Sequence, residues 1–322
     1  MTKIAILTSG GDSPGMNAAV RAAVRTACYM GHDIYAIKNG YRGLIRGDIQ
    51  KMETSDVSDV IQRGGTVLKS SRSEEFRTIE GRIKAANVLN KHGIDALITV
   101  GGDGTFMGAK ILADEHNINV IGVPATIDND LVGTDETIGY DTALNTAMEA
   151  IDKIRDTADA HERLFFVEVM GRDVGFIALE TGIAVGAELI LLPETLTHPD
   201  EVKESLKEVI EAQKRSTLVV VAEGDETGGA IKLCAKLEED FKNYDMKVCI
   251  LGHIQRGGNP TARDRVLASR LGAHAVKALE EGHSKVMVGI LNGEIKLTPI
   301  DETFGKKKRI NFDLVELSNI IR

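Results

Sequence analysis

The sequence contains no tryptophan, and aromatic residues make up only 4% of its 322 residues. Proteins that bind single-stranded nucleic acid stack the bases on aromatic side chains, so this shortage argues against a base-stacking surface. Basic residues are outnumbered, 39 against 48 acidic ones, which gives a formal net charge of −9. That balance argues against broad binding to nucleic acid or to an anionic membrane, so an anionic substrate would need a local cluster of arginines.

Cysteine is equally scarce, with Cys28, Cys234 and Cys249 as the whole complement. Their positions show no metal-ligand spacing, so we expect reduced, buried cysteines in a cytoplasmic protein. No apolar run is long enough to cross a membrane. Residues 1–7 are typical of a first strand and are too short for a signal peptide, which also favours the cytoplasm.

Apolar runs that are typical of buried strands alternate with helical segments, the pattern of α/β domains with parallel sheets. With 43% hydrophobic residues, the chain can form a substantial core, and its length allows two domains. The predicted strands are residues 3–8, 33–37, 96–100, 119–123, 164–169, 188–192, 218–222, 247–251 and 286–291. The predicted helices are residues 16–30, 79–92, 105–115, 141–160, 175–184, 199–213, 230–242 and 261–280, and residues 39–43 are predicted to form a loop.

Glycine-rich turns follow the first and third predicted strands. Gly10 and Gly11 precede Asp12 and a helical segment, so backbone N–H groups and a helix N-terminus face the same turn and favour an anion. In the second turn Asp103 lies among three glycines, where a carboxylate is well placed to hold a hard cation that already carries phosphates. Either turn alone is also compatible with an ordinary strand-to-loop connection, because glycine and aspartate are common turn residues.

Three further polar clusters follow predicted strands: the Thr126–Asp130 turn with two carboxylates, Met170-Gly171-Arg172, and residues 252–258. Ligands of open α/β sheets bind at the carboxyl ends of strands, which is where all these clusters are predicted to lie. A loop that holds a metal-bound phosphate, next to a loop that holds a general base, indicates phosphoryl transfer.

These motifs, in this order, resemble those of the bacterial-type ATP-dependent 6-phosphofructokinases, and the resemblance runs over nearly the whole chain. It is carried by residues 8–12 with 14–18, 63–66, 101–105, 126–130, 168–172 and 252–258. The family implies transfer of a phosphoryl group from Mg-ATP to the 1-hydroxyl of fructose 6-phosphate in glycolysis. It also implies a cytoplasmic homotetramer that binds neither nucleic acid nor membrane.

The resemblance also implies an α/β fold of two Rossmann-like three-layer domains with largely parallel sheets and the active site in the cleft between them. The larger, ATP-binding domain would comprise residues 1–138 and about 252–300. The smaller, sugar-phosphate-binding domain would comprise residues 139–251 and about 301–322.

By the same resemblance, Asp128 is the general base, and Gly11, Thr126 and Arg172 stabilise the charge of the transferring phosphoryl group. Asp103 would hold Mg²⁺ with Asp130 assisting. The ATP site would be formed by Gly11, Tyr41, Arg72, Ser73, Arg77, Gly102, Asp103, Gly104, Thr105 and Gly108.

The sugar phosphate would be held by Thr126, Ile127, Asp128, Arg163, Met170, Gly171, Arg172, Glu223, Lys247, His253, Ile254, Gln255 and Arg256. In this family two cations reach the 6-phosphate from a neighbouring subunit, and Arg163 and Lys247 match them. Arginine is usual at the second position, and lysine keeps the charge without the bidentate fork. Taken singly, Arg163 and Arg256 could be surface ion-pair partners, His253 a structural histidine and Glu223 a helix cap.

The family also has an effector site between subunits, for a nucleotide or a phosphoenolpyruvate-type compound. The matching residues are Arg21, Ala22, Ala23, Val24, Arg25, Arg155, Gly186, Ala187, Glu188, Lys214, Arg215 and Ser216. The match is incomplete, because Thr54 and Ala212 stand where basic residues often occur. The basic run at residues 306–309 is predicted to be a solvated turn.

Three other functions compete with this one. A pyrophosphate-dependent enzyme of the same family tends to carry Asp at the position of Gly104 and Lys at that of Ala125. Lipid and NAD kinases share the Gly-Gly-Asp-Gly-Thr motif but lack the Asp128 and His253 loops in this form. A catalytically dead regulatory subunit would be expected to have lost Asp103 or Asp128, and both are present.

Overall fold

A computed structural model describes residues 1–159, 163–195, 198–211, 217–306 and 308–322. Its strands are β1 (Lys3–Thr8), β2 (Asp33–Ile37), β3 (Ile49–Met52), β4 (Ala96–Gly101), β5 (Asn119–Pro124), β6 (Leu164–Val169), β7 (Leu189–Leu191), β8 (Thr217–Ala222), β9 (Met246–Ile250), β10 (Val286–Leu291) and β11 (Glu294–Pro299). Its α-helices are α1 (Met16–Tyr29), α2 (Gly40–Arg46), α3 (Ile79–His92), α4 (Asp103–His116), α5 (Tyr140–Asp159), α6 (Phe176–Ala184), α7 (Pro199–Glu211), α8 (Ala230–Leu237), α9 (Ala262–Glu280) and α10 (Phe312–Ile321).

The chain divides into two compact units. The first comprises Met1–Thr142 and Arg256–Lys308, and the second comprises Ala143–Gln255 and Arg309–Arg322. Each unit has its own sheet with helices packed against it. The predicted α/β class with largely parallel sheets is confirmed.

The first unit is built on a seven-stranded sheet in the order β11-β10-β5-β4-β1-β2-β3. Its five central strands run parallel, and the edge strands β3 and β11 pair antiparallel with their neighbours. Side chains alternate between the two faces, so Ile4 and Ile6 pack with α1 and α9 while Ala5 and Leu7 pack with α2, α3 and α4. A helical layer therefore covers each face, as expected for a mostly parallel sheet.

Helices α1 and α9 pack closely along one face of this sheet. A Cβ atom at Gly272 would lie 2.3 Å from the carbonyl oxygen of Ala19, so only glycine allows this approach. Alanines such as Ala23 and Ala275 are fully buried in the same layer. Small side chains thus set the distance between the two helices.

The second unit has a four-stranded, all-parallel sheet in the order β7-β8-β6-β9. Strand β8 is buried at every residue, while β9 is an edge strand with residues that are only partly covered. One hydrophobic cluster joins Phe166 and Val219 to Leu206 of α7 and Leu233 of α8. Helix α6 contacts β7 and β8, and α10 contacts α6.

Several sequence predictions of local structure are wrong. Residues 40–43, predicted as loop, begin α2, and α8 ends at Leu237 rather than at residue 242. Strands β3 and β11 and helix α10 were not predicted. All three cysteines are free, but each is only partly buried, although burial still raises the pKa of the Cys28 and Cys234 thiols. Among the described residues, no helix is both long and apolar enough to span a membrane.

Candidate active site

Three predicted ligand-binding loops of the first unit lie side by side because their strands are neighbours in the sheet. Thr8 of β1 pairs with Val100 of β4, and Gly101 of β4 pairs with Pro124 of β5. Three loops therefore begin next to one another at the carboxyl ends of these strands, at Ser9, Gly102 and Ala125. Backbone bonds join them, since Ser9 N donates to Val100 O at 3.0 Å and Ala125 N donates to Gly101 O at 2.9 Å.

Asp128 lies in the loop after β5 and is only 6% exposed. Its backbone N donates to Thr126 Oγ1 at 3.2 Å, and that hydroxyl donates to Asp128 Oδ2 at 3.3 Å. Thr126 thus closes a local turn around the carboxylate. Ile127 is fully buried, so its side chain anchors the turn in the core rather than facing a ligand.

Arg256 lies over the Gly11 loop and near this carboxylate. Its Nη2 is 4.0 Å from Asp128 Oδ1, and its Nη1 donates to the carbonyl of Asp12 at 3.4 Å. A Cβ atom at Gly11 would lie 2.7 Å from Nη1, closer than real Cβ contacts come. The missing side chain at Gly11 therefore allows the guanidinium to reach this position.

Asp103 and Gly104 begin α4 at the end of β4. Asp103 is partly exposed in the first turn, where a helix N-terminus favours negative ligands around its carboxylate. Gly104 is exposed, and a Cβ atom there would meet nothing within 4 Å. The open space beside Gly104 and the half-buried Gly102 backbone leave room for a phosphate chain along this turn.

No cluster of three or more His, Cys, Asp or Glu side chains that could hold a metal ion occurs among the described residues. Magnesium is commonly bound through one or two carboxylates together with substrate phosphates and water. A single partly exposed carboxylate at Asp103, beside an open anion-binding turn, fits that mode of binding. The site does not resemble a metal site in which protein side chains supply all the ligands.

Tyr41, which was predicted to line the ATP site, is buried beside the start of α4. Its ring stacks on Phe76 with centroids 4.0 Å apart, and its hydroxyl donates to Thr105 O at 2.5 Å. A Cβ atom at Gly108 would come within 3.1 Å of both rings. Tyr41, Gly108 and Thr105 thus support the first turns of α4, and burial raises the pKa of the tyrosine strongly.

The segment that carries Arg72, Ser73 and Arg77 follows these loops. Ser73 Oγ accepts from Phe76 N at 3.2 Å and so binds the backbone of a short 3₁₀ turn, Glu75–Arg77. The Arg72 and Arg77 side chains are exposed, and Arg77 pairs with Glu74 at 3.4 Å. Arg72 and Arg77 are thus exposed cations on the segment that carries Phe76, whose ring lies near Gly108 of α4.

The basic run at residues 306–309 is not simply a solvated turn, so that prediction is wrong for Lys308. Lys308 is half-buried, and its Nζ donates to Asn129 Oδ1 at 3.0 Å and to Asp135 O at 2.6 Å. Lys306 is exposed, as predicted, and Lys307 lies outside the described residues. Nothing in the composition of the run distinguishes Lys308 from its neighbours.

In the second unit, Met170, Gly171 and Arg172 follow β6. Arg172 has a left-handed backbone with φ 57°, and its N donates to Glu223 Oε1 at 2.8 Å. The backbone of Met170 is fixed by Gln255, whose Oε1 accepts from Met170 N at 2.9 Å. Gln255 is completely buried, whereas the side chain of Arg172 is exposed and available to an anion.

Arg163 and Lys247 meet on a single carboxylate that the sequence did not point to. Arg163 Nε donates to Asp245 Oδ2 at 2.8 Å, and Lys247 Nζ is 2.5 Å from Asp245 Oδ1. The two cations come together because β6 and β9 are paired, with Phe165 opposite Lys247. His253 and Ile254 follow β9 in a 3₁₀ turn, Gly252–Arg256, and both side chains are exposed.

Comparison with known proteins decides the family. A family model described as phosphofructokinase matches residues 3–279. The ATP-dependent 6-phosphofructokinase 1 of Thermus thermophilus is 54% identical over 321 residues, which cover 100% of this chain and 99% of that protein. This chain belongs to the phosphofructokinase family. The prediction from the motifs is confirmed.

Two further members of the phosphofructokinase family show how far the likeness extends. The ATP-dependent 6-phosphofructokinase 2 of Bacteroides thetaiotaomicron is 52% identical over 314 residues, 98% of this chain and 96% of that protein. A solved phosphofructokinase structure from Saccharomyces cerevisiae matches with a TM-score of 0.87 at 40% identity over 99% of this chain. This chain spans only 46% of that longer chain.

The effector residues expected in a phosphofructokinase of this type divide by burial. Arg25 is exposed and lines an open depression of about 650 Å³ with Thr26, Cys28, Tyr29, Thr54, Ala273 and Lys277, and Arg21 is half-buried. Ala22, Ala23 and Val24 are buried, so their side chains face the core of the first unit. An anion at this helix would therefore meet the two arginines.

The other described residues that were predicted for an effector site lie in the second unit. Arg155 donates to the carbonyls of Val185 and Gly186, just after the end of α6. The C-terminal end of a helix carries partial negative charge, so it favours a cation at this position. Glu188 is 6% exposed, and its Oε2 accepts from Leu218 N at 2.8 Å. Ala187 is buried, Gly186 is exposed, and Lys214, Arg215 and Ser216 lie outside the described residues.

Proposed function

We propose that this chain is an ATP-dependent 6-phosphofructokinase, which converts fructose 6-phosphate and ATP into fructose 1,6-bisphosphate and ADP. The names of the relatives at 50–54% identity over the full chain support ATP as donor against the pyrophosphate alternative. The observation in the structure that carries the proposal is the meeting of three loops at one sheet edge. One loop carries Asp128, the next carries Asp103, and the third is the Gly11 loop that lies under Arg256.

The first unit would bind the donor. The ATP phosphates lie along the open turn at Gly104, near the backbone N–H groups of the Gly11 loop. Asp103, assisted by Asp130, would hold Mg²⁺, which would neutralise charge on the phosphates. Arg72 and Arg77 are the exposed cations on the donor side.

Asp128 would act as the general base in the transfer. The sugar 1-hydroxyl oxygen forms a bond to the γ-phosphorus, the bond from that phosphorus to the bridging oxygen of ADP breaks, and the hydroxyl proton passes to Asp128. A weak base is sufficient, because the proton leaves late in a loose phosphoryl transfer. Thr126 holds the carboxylate in place through the turn described above.

The second unit would recognise the sugar phosphate. Arg163 directly precedes β6 and Lys247 lies on the neighbouring strand β9, and Asp245 already holds the two cations in place. Arg172 is an exposed cation with a backbone fixed by Glu223. His253 and Ile254 present exposed side chains, while the buried Gln255 positions Met170.

Oligomer and effector are parts of the same proposal. The cationic pair would serve the active site of a neighbouring copy in a homotetramer, and Arg21 and Arg25 would bind an anionic effector. Arg25 and Lys247 are exposed and Arg163 is half-buried, and these positions support both statements.

The assignment of the base is tested with Asp128→Ser in an assay that follows fructose 1,6-bisphosphate. We expect kcat to fall by about 10²–10⁴, the usual contribution of a general base. The KM values for both substrates should change much less, because the proton moves only in the transition state. Asp301→Ser, an exposed carboxylate of the same unit, is the control. Near-normal turnover of the Asp128 variant would contradict the assignment.

A further inference from the structure

Asn129 lies between Asp128 and Asp130 and has an unusual backbone. Its φ is 53°, in the left-handed region that asparagine tolerates better than most residues other than glycine. The residue is only 3% exposed. The backbone angles of a residue determine the directions of the side chains before and after it. The left-handed conformation of Asn129 therefore affects the directions of the Asp128 and Asp130 carboxylates.

The Asn129 side chain crosses the loop that runs from β5 to α5. Its Oδ1 accepts from Thr137 N at 3.1 Å, and its Nδ2 donates to Asp135 O at 3.3 Å. Thr137 Oγ1 in turn donates to Thr126 O at 2.6 Å. These bonds join the first part of the loop, residues 126–129, to its returning segment, residues 134–137.

Lys308 adds a contact to the Asn129 amide. Its Nζ donates to Asn129 Oδ1 at 3.0 Å and to the carbonyl of Asp135 at 2.6 Å, although 179 residues separate Lys308 from Asn129 in sequence. Bonds from a charged donor are stronger than neutral ones. The ammonium group thus fixes the amide in the orientation in which it binds Asp135 and Thr137.

The base of the loop also has bonds to the rest of the first unit that do not involve Lys308. Asp135 N donates to Ile290 O at 2.7 Å, and Asp135 Oδ2 accepts from Asn292 N at 2.6 Å, so the returning segment is bound to β10 and to the turn after it. Thr134 Oγ1 also accepts from Ile290 N at 3.1 Å. The returning segment is thus attached to β10 through several bonds of its own, and the bond from Lys308 to Asn129 Oδ1 adds a hold on the orientation of the amide.

We propose that Asn129 and Lys308 are positioning residues for phosphoryl transfer, which together hold the Asp128–Asp130 segment in its left-handed turn. Neither residue touches the reacting atoms in this account. They act through the direction of the Asp128 carboxylate, so the proposal rests on the proposed role of Asp128. It also gives a function to one residue of the basic run.

The test compares Lys308→Gln with Lys306→Gln, which removes an exposed charge from the same run. Misplacing a catalytic group by about 1 Å can lower a rate by about 10²-fold, so we expect kcat of Lys308→Gln to fall by about 10- to 100-fold. Its KM values for ATP and fructose 6-phosphate should stay within about threefold, because the binding groups are unchanged. Lys306→Gln should match the wild type, and Lys308→Arg should restore part of kcat.

A double-mutant cycle with Asn129→Gly separates positioning from a general loss of stability. Glycine keeps the left-handed backbone accessible but removes the amide, so Asn129→Gly should also lower kcat. If both residues act through one contact, adding Lys308→Gln to Asn129→Gly should cause little further loss. In an Asp128→Ser background, Lys308→Gln should likewise have little effect.

Three results would overturn the proposal, and they are distinguishable from failure of the proposed function. The first is near-normal kcat of Lys308→Gln while Asp128→Ser is slow, which removes the positioning role alone. The second is independent, multiplicative losses in the double mutant. The third is a large fall in the thermal unfolding midpoint of both single variants, which makes the contact a structural one. Near-normal turnover of Asp128→Ser would instead overturn the base, and this proposal with it.

Discussion

Asp245 holds two cations, Arg163 and Lys247, close together. Lys247 and Arg163 both bind its carboxylate and hold its pKa below the usual range, with the bond from Lys247 as the larger cause. The two cations are thus kept close together before any phosphate is present. A sugar phosphate would meet a prearranged pair, but it must share both cations with Asp245.

Lys247→Arg tests the sugar-phosphate role of this pair. A guanidinium offers two parallel donors where an ammonium makes one good contact, so an arginine can bind Asp245 and a phosphate together. We expect a lower KM for fructose 6-phosphate with similar kcat, measured by steady-state kinetics at saturating ATP. Lys242→Arg, an exposed lysine of the same unit, is the control. A raised KM would mean that the site is shaped around lysine.

The position of the polar turns at strand ends was predictable from the sequence, because each turn directly follows an apolar run that is typical of a buried strand. Contacts between distant segments were not predictable. The bond between Lys308 and Asn129 spans 179 residues, and no local pattern marks either partner. Burial was equally hidden, since Gln255 and Tyr41 stand in motifs with exposed residues but pack inside.

At the scale of elements, the start of α5 depends on a carboxylate from another helix. Asp264 of α9 is fully buried, and it accepts from Gly139 N at 2.7 Å, from Thr142 N at 2.8 Å and from Thr142 Oγ1 at 2.5 Å. Burial nevertheless raises its pKa to about 6, because loss of hydration outweighs these bonds and Asp141 adds to the effect. The first turn of α5 is therefore held by a group that titrates near neutral pH.

Asp264→Asn removes the titrating group, so the wild type and this variant should differ in how their unfolding free energies depend on pH. The folded protein keeps the proton up to about pH 6, whereas the unfolded chain releases it near the model-peptide value of 3.8. Stability from this group is therefore full below that lower value and is lost as the pH rises through about 6. Relative to the variant, the wild type should lose on the order of 3 kcal/mol of unfolding free energy between pH 4 and pH 7.

Urea unfolding at a series of pH values measures that difference. Asp313→Asn, which removes an exposed carboxylate from the first turn of α10, gives the change that an ordinary surface group contributes. A gap between wild type and Asp264→Asn that stays constant from pH 4 to pH 7 would contradict the prediction.

Long apolar runs were the elements that the sequence predicted well, because a central parallel strand is buried on both faces and leaves an unambiguous pattern. The missed elements lack such a pattern. Strands β3 and β11 are edge strands with mixed exposure, and α2 contains two glycines. Helix α10 has no buried residue, so its packing against α6 leaves little periodicity to detect.

At the scale of the whole molecule, the family resemblance predicts an assembly in which copies complete one another. If Arg163 and Lys247 serve a neighbouring copy, Asp128→Ser and Arg163→Ala are defects in different halves of one site. The two inactive variants, refolded together, should then regain part of the activity, because some mixed sites combine both intact halves. Each variant refolded alone is the control. No recovery, despite demonstrated mixing of subunits, would argue for sites that are complete within one chain.

The identity of the phosphoryl donor is the central claim at this scale, and Gly104 is the residue on which it depends. Its open surroundings leave room for the α-phosphate of ATP, while a carboxylate there would repel that phosphate. Ala125 is buried and uncharged, so it cannot supply the cation that pyrophosphate would otherwise gain. Gly104→Asp should abolish the use of ATP without disturbing the fold, because nothing lies within 4 Å of the added Cβ.

The most direct measurement is kcat/KM of the wild-type protein for ATP and for pyrophosphate, each at saturating fructose 6-phosphate and Mg²⁺, with fructose 1,6-bisphosphate as the detected product. We expect ready turnover with ATP and little or none with pyrophosphate. Ala125→Gly should keep the preference for ATP. A higher kcat/KM for pyrophosphate would contradict the interpretation of Gly104 and the proposed function with it.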